Sequence, residues 1–275
     1  MTSAAAPDWL AVCRAATADL REVFAGLPTR AVREPVVGAG EGGDETTAVD
    51  ADAEAAILAR LQAFHAETGT GFTVISEEVG ELVFGTGAPW RLVVDPIDGS
   101  LNAKRLIPFY SVSIAVATGP AMGDVVFGYV YDFGSGEEWW AIKGEGAFLD
   151  GTRLGLELPK DEIEILSFEA TLTSLVASKA DAFVGVAKRL RIMGSLALSL
   201  CHLAAGRVDG VISLKAARSV DIAAAQLLCL EVGVAIDLFE DPPFAAAPLD
   251  LKGRSRIVAA ATPAGCARLA AALSA

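Results

Sequence analysis

Residues 90–102 read WRLVVDPIDGSLN, and both the fold and the chemistry of the chain turn on this stretch. Trp90 to Val94 has the apolar, β-branched character of a buried strand, yet the run ends in Asp95 and Asp98. Two carboxylates about 4 Å apart at an effective dielectric near 20 repel by roughly 4 kcal/mol, so something must offset the repulsion. Pro96 biases Asp95 to an extended backbone, which sends its carboxylate past the carboxyl end of the strand, where α/β folds collect ligands. Gly99 permits a sharp turn, and Ser100 opens a short helical turn whose N–H groups point at any nearby anion. Oxygen ligands beside an anion cradle suit Mg2+ together with phosphate.

Outward from this stretch the chain alternates helix and strand signals. Helical spacing of apolar residues predicts helices over 8–27 and 51–66, and again over 195–205 and 221–232. Strands are predicted at FTVIS (72–76), RLVVD (91–95), YSVSIAV (110–116), DVVFGYVY (124–131) and EEWWAI (137–142), with VDGVISL (208–214), VAIDL (234–238) and RIVAA (256–260) later. The expected class is α/β (α+β), in two closely packed halves, 1–150 and 151–275, that meet around residues 150–185. The uncharged run LIPFYSVSIAVATGPAMG (106–123) carries Pro108, Gly119 and Pro120, and so predicts two strands and a turn rather than a membrane span.

Composition narrows the function. The chain has 275 residues and a formal charge of -13, which repels a nucleic-acid backbone or an anionic membrane face. Its four cysteines are far apart in Ala/Leu-rich contexts, which fits neither a disulfide framework nor a zinc site but does fit a reducing compartment. MTSAAAPDWL lacks the basic start of a signal peptide, so the expected location is the cytoplasm.

Two other motifs lead elsewhere. Gly38, Gly40 and Gly43 have the G-x-G-x-x-G spacing, but Asp44, Glu45, Thr46 and Thr47 follow where a dinucleotide site needs a helix, so a loop is expected. Cys201 and Arg207 have the C-x5-R spacing of cysteine phosphatases, but Cys201 falls inside a helical pattern that Gly206 ends. His65 and His202 are expected as packed or surface helix residues.

The remaining acids form a pattern. FTVIS ends in Glu77 and Glu78, as the later strand ends in Asp95, and RSVDIAAAQ places Asp221 at a helix start. Singly, these read as a solvated loop and a helix-terminal acid. Together, DPIDGS-x-N, an SEE strand end and a late VDIAAA resemble the inositol monophosphatase family of magnesium-dependent, lithium-sensitive phosphatases. DETTAVDADAE (44–54), KGEGAFLDG (143–151) and RIMGSLALSLCHLAAGRVDG (191–210) resemble further segments of that family, in the right order.

The resemblance implies a layered α-β-α-β-α sandwich and two to three Mg2+ ions. Glu77, Asp95 and the Ile97 carbonyl would hold one ion, and Asp95, Asp98 and Asp221 a second, with a looser third near Glu77. A water activated by the metals would be the nucleophile, losing its proton towards Ser100 and Asp50, with Glu77 also in reach. Gly99 and Ser100 would hold phosphate by their N–H groups. Gly194, Ser195 and Leu196, with Asp98 and Asp221, would line the substrate site. A homodimer is implied as well. Asp50 alone also reads as the N-cap of the second helix.

Departures from the family concern the substrate. Val220 and Ala103 stand where the family usually has Trp and Phe, and Leu214 replaces the acid that contacts ring hydroxyls in inositol-selective members. Lys215 and Arg218 nearby would meet a second phosphate, a pattern more like the archaeal-type branch that also accepts fructose bisphosphate. The expected substrate is a small phosphorylated polyol or sugar, inositol monophosphate or fructose 1,6-bisphosphate. The alternatives are phosphoadenosine phosphate, histidinol phosphate, or a non-catalytic metal- and phosphate-binding dimer.

Overall fold

An eight-stranded sheet carries the Asp95–Asp98 stretch near its centre. The computed structural model describes residues 7–41, 43, 45–155, 159–169, 172–252 and 255–275. Asp44 of the early acidic motif and the first six residues lie outside them, as do residues 156–158, 170 and 171 of the expected junction. In chain order, helices α1 (Trp9–Gly26) and α2 (Arg30–Arg33) lead into a hairpin of β1 (Val36–Ala39) and β2 (Glu45–Thr47), then α3 (Ala48–Thr68). There follow β3 (Phe72–Ser76), β4 (Gly80–Phe84), β5 (Trp90–Asp98), the short α4 (Ser100–Arg105), β6 (Ser111–Ala117) and β7 (Val125–Asp132). Strands β8 (Glu138–Ile142), β9 (Gly146–Leu149) and β10 (Thr152–Arg153) complete this sheet. The rest runs β11 (Ile163–Glu169), α5 (Thr173–Lys179), β12 (Ala187–Arg191), α6 (Leu196–Ala204) and β13 (Gly210–Ser213). It closes with α7 (Ser219–Glu231), β14 (Ala235–Leu238), β15 (Ile257–Ala260) and α8 (Pro263–Ser274).

The sheet orders are β10-β9-β8-β7-β6-β5-β3-β4 and β12-β11-β13-β15-β14. Helices α1 and α3 cover one face of the large sheet, α6 and α7 lie between the two sheets, and α8 covers the outer face of the small one. That is a five-layer α-β-α-β-α sandwich. The alternation of side chains along each strand explains the unbroken apolar runs. On β5, Leu92 and Val94 join the core under α1 and α3, while Val93 joins the core around α6 and α7. On β13, Val211 faces that middle layer and Ile212 faces the outer one, with Phe168 and Leu269. Close approach in the middle layer depends on Gly128, where an added Cβ would stand 2.5 Å from the Ala224 carbonyl oxygen of α7.

Several expectations change. The second helix begins at Ala48, not Ala51, because Thr47 N and Oγ1 both donate to Asp50 Oδ2, at 3.1 and 2.5 Å. Asp50 is therefore the third residue of α3 and its capping partner rather than the N-cap itself. The run 106–123 holds one strand, not two, since Thr118 N turns back to Asp124 O and residues Met122–Asp124 form a 3-10 turn. The glycine motif lies in the β1–β2 hairpin, with a strand rather than a helix after Gly43. Cys201 is buried inside α6, which Gly206 follows at φ +69°. His65 bonds the Thr70 carbonyl through Nδ1, and His202 stacks on Phe109. Among the described residues no helix is long and apolar enough to cross a membrane.

Candidate active site

The site is assembled by strand register. Parallel pairing sets Ser76 of β3 opposite Val94 of β5, so the next residues, Glu77 and Asp95, emerge side by side. Against β6, Asp95 pairs with Ser113 and Asp98 with Ser111, so β5 fits one extra residue between the two aspartates, a β-bulge. The strand thus runs on through Asp98, and the bulge rather than the strand's end separates the two carboxylates. Ile97 N donates to Asp95 Oδ1 at 3.0 Å, and Ser100 Oγ donates to the Ile97 carbonyl at 2.9 Å. Gly99 sits at φ +96°, where a Cβ would come within 3.1 Å of Gly194 O and 3.2 Å of Phe109 O. Asn102 Nδ2 donates to the Phe109 and Met193 carbonyls at 2.8 Å, which ties this turn to the segment ahead of α6.

Asp98 turns toward that segment. It accepts from Ser195 Oγ, from Ala197 N at 2.8 Å and from Leu196 N at 3.3 Å, and so occupies the electropositive start of α6. Gly194, Ser195 and Leu196 are thereby brought to the site. Behind them, Glu169 Oε2 accepts from Gly194 N at 3.0 Å, and its Oε1 accepts from Ser199 and Ser167 hydroxyls at 2.6 and 2.8 Å. Glu169 was not among the sequence candidates. The signal was present, because IEILSFE is a third apolar run that ends in an acid.

Asp221 arrives from α7. Its Oδ2 accepts from Arg218 N at 2.6 Å in a capping arrangement, and the guanidinium of Arg218 reaches Glu77 Oε1 at 2.6 Å and Asp221 Oδ1 at 3.3 Å. Glu77, Asp95 and Asp221 each offer an oxygen within 4.8 Å of the others. Asp98 lines the same cleft but lies outside that trio. Asp50 Oδ1 is buried with no hydrogen-bond partner among the described residues, and with Ser100 and Glu77 it lines a recess of the cleft. Ser100 Oγ here points to Ile97 O rather than to Asp50. Lys215 is exposed at the rim. Leu214 is buried with Phe168, and its N–H donates to Glu169 O.

Burial governs the charges. It raises Glu77 to about 7, against the pull of Arg218 and with the push of Asp221. Asp95 rises well above the carboxylate range through burial and then the charges of Glu77, Asp98 and Asp221. Burial also raises Asp98 to about 7, against the hydrogen bond from Ser195, and Glu54, behind Ser76, to about 7. Carboxylates packed this way resist ionising together unless a cation joins them. An all-oxygen donor set fits a hard divalent cation such as Mg2+ or Mn2+.

Fold and site together define a metal-dependent phosphatase. The inositol monophosphatase family model matches residues 9–275, and the chain belongs to that family. It is 36% identical over 208 residues to the fructose-1,6-bisphosphatase/inositol-1-monophosphatase of Methanothermobacter thermautotrophicus, covering 72% of each chain. It is 34% identical over 197 residues to the Nus factor SuhB of Escherichia coli, covering 69% of this chain and 70% of that one. Among solved structures, an inositol monophosphatase-fructose 1,6-bisphosphatase superposes with a TM-score of 0.82 at 25% identity, covering 97% of this chain and 100% of that one. The chain is a sugar- or polyol-phosphate phosphatase.

Proposed function

We propose that the chain is a Mg2+-dependent phosphomonoesterase acting on inositol monophosphate or fructose 1,6-bisphosphate. The observation that carries this is the convergence of Glu77, Asp95 and Asp221 oxygens within 4.8 Å beside the Gly99–Ser100 turn. Glu77, Asp95, Asp98, Asp221 and the Ile97 carbonyl are the groups that would hold the cations, with Asp95 common to two of them, as the family resemblance implies. Bound there, Mg2+ supplies positive charge to the phosphoryl oxygens and acidifies water.

The chain's own groups do the rest. Gly99 and Ser100 N–H groups, at the start of α4, hold phosphate oxygens. The unpartnered Asp50 Oδ1 and the Ser100 hydroxyl in the same recess take the proton of the attacking water. Glu77 would be a second acceptor, as the family resemblance implies. Gly194, Ser195 and Leu196 form the wall on the leaving-alcohol side, and Lys215 at the rim meets a second phosphate. A non-catalytic scaffold is disfavoured because all four acids, Glu77, Asp95, Asp98 and Asp221, line the cleft. We also propose lithium sensitivity and a cytoplasmic homodimer, as the family resemblance implies.

The test is phosphate release from inositol monophosphate, fructose 1,6-bisphosphate, histidinol phosphate and phosphoadenosine phosphate, with and without Mg2+ and with added Li+. Asp95→Asn is expected to lower kcat/KM by about 10^3-fold or more, since one residue serves both cation positions. Full activity in that variant, or no hydrolysis of any substrate under Mg2+, overturns the reading.

A further inference from the structure

We propose that Arg218 is an internal counter-cation of the carboxylate cage, competing with the divalent metal for Glu77 and Asp221; this rests on the metal-dependent reading above. The Arg218 side chain is only 8% exposed, and its two terminal nitrogens lie 2.6 Å from Glu77 Oε1 and 3.3 Å from Asp221 Oδ1. Both carboxylates belong to the trio whose oxygens lie within 4.8 Å of one another. The guanidinium therefore addresses the atoms a metal would use, rather than reaching outward to substrate as the sequence alone suggests.

The backbone imposes this placement. Arg218 N–H is tied to Asp221 Oδ2 at 2.6 Å, and Ala217 before it exchanges both backbone hydrogen bonds with Ser255. With the backbone bonded on both sides, the side chain enters the cage from the N-cap of α7. A guanidinium carries donors only and does not lose its proton in a protein, so its charge cannot be shed when a second cation arrives. Two outcomes remain. Either the side chain leaves Glu77, or it stays and its charge opposes the metal. Both lower metal affinity relative to a chain without that charge. Space for the departing group is present, because Arg218 borders the main cleft and also a second cavity of about 330 Å³ whose walls include Asp241 and Ser255. In the metal-free chain the same contact stabilises the fold, since it neutralises carboxylates that otherwise repel.

Titration calorimetry of the chelator-stripped full chain with Mg2+ and with Ca2+, without substrate, tests this on the parent, Arg218→Met and Arg218→Lys. Arg218→Met is expected to bind metal about tenfold more tightly, and Arg218→Lys, which keeps charge but loses the fork, about two- to fivefold. Metal-free Arg218→Met is expected to melt below the parent, with the gap closing at saturating Mg2+. Unchanged or weaker metal binding by a folded Arg218→Met overturns the proposal and makes Arg218 an orienter of metal ligands instead. Should Arg218→Met not fold, unchanged or weaker binding by Arg218→Lys overturns it alone. If the folded parent takes up neither cation at millimolar concentration, the metal-dependent reading falls and this proposal with it. Metal uptake by the parent with no tightening in either variant removes only the role of Arg218.

Discussion

The two segments that close the site, residues 95–100 running from β5 into α4 and residues 214–221 leading into α7, take their conformations from different mixes of near and distant contacts. In the first, several shaping contacts are local, Ile97 N to Asp95 Oδ1, Ser100 Oγ to Ile97 O and a glycine at φ +96°, while the pairing with β6 and the bonds from Ser195 and Ala197 to Asp98 come from afar. In the second, the contacts reach far along the chain: Leu214 to Glu169, Ala217 to Ser255, Ser219 Oγ to Asp250 O, and Arg218 to Glu77. The turn from Asp95 to Ser100 therefore draws much of its shape from six consecutive residues. The balance of charge around it is written across the whole fold. One consequence is that the chemistry of this site can be read from a motif, while its metal affinity and substrate choice cannot.

The sharpest way to break the local side is Gly99→Ala. A Cβ there meets the Gly194 and Phe109 carbonyls at 3.1 and 3.2 Å in a backbone conformation that side chains rarely adopt. The expected loss is about 2–3 kcal/mol of unfolding free energy in a denaturant titration, with a fall in kcat because the Gly99 and Ser100 N–H groups move. Parent-like stability and activity would show that the turn does not need glycine.

What the sequence revealed follows the same division. The strands of the large sheet's centre were legible because both of their faces are covered, which leaves long apolar runs such as Leu92–Val94. Strands β4 and β12 were not, because they are edge strands with exposed and charged residues, as in GELVF and AKRLR. Strand β11 escaped although IEILSFE has only Glu164 inside its apolar run, and with it went Glu169, whose partners Gly194 and Ser199 lie 25 and 30 residues away. Glu77, Asp95, Asp98 and Asp221 were legible as acids at element ends. The inward turn of Arg218 was not, since it depends on the pairing of β3 with β5 and on the packing of α7 against β5.

A second test concerns the buried acids that the two segments share. Glu54 and Glu77 rise from 4.5 to about 7 and Asp98 from 3.8 to about 7, each chiefly through burial. Because the folded-state values lie above the unfolded ones, the folded metal-free chain binds more protons in the intervening window. Stability is therefore expected to increase as pH falls from 8 to 6.5, by about 1 kcal/mol for each group that titrates independently. The window ends there because His202, lowered by burial and then by Arg207, works in the opposite direction once it must charge. Urea titrations at the two pH values check the sign, and saturating Mg2+ is expected to remove the share of the gain that comes from Glu77 and Asp98 by holding them ionised. Greater stability at pH 8 without metal would mean that solvent reaches these groups more freely than their burial indicates.

The smallest effect, and the one that most sharpens the contrast, is Lys215→Ala. Lys215 is exposed at the cleft rim, four residues from the start of α7, so solvent screens its charge. Exposed pairs contribute about 0.2–1 kcal/mol, and salt screens them. The expected result is a KM for fructose 1,6-bisphosphate raised about two- to fivefold, with little change for inositol monophosphate and none in kcat for either. The difference should fade as ionic strength rises, which separates a long-range charge from a direct, desolvated contact. Equal changes for both substrates would remove Lys215 from substrate choice. The discrimination between monophosphate and bisphosphate would then rest on the wall formed by Gly194, Ser195 and Leu196, and so on Glu169, whose hydrogen bond to Gly194 N–H holds that wall in place.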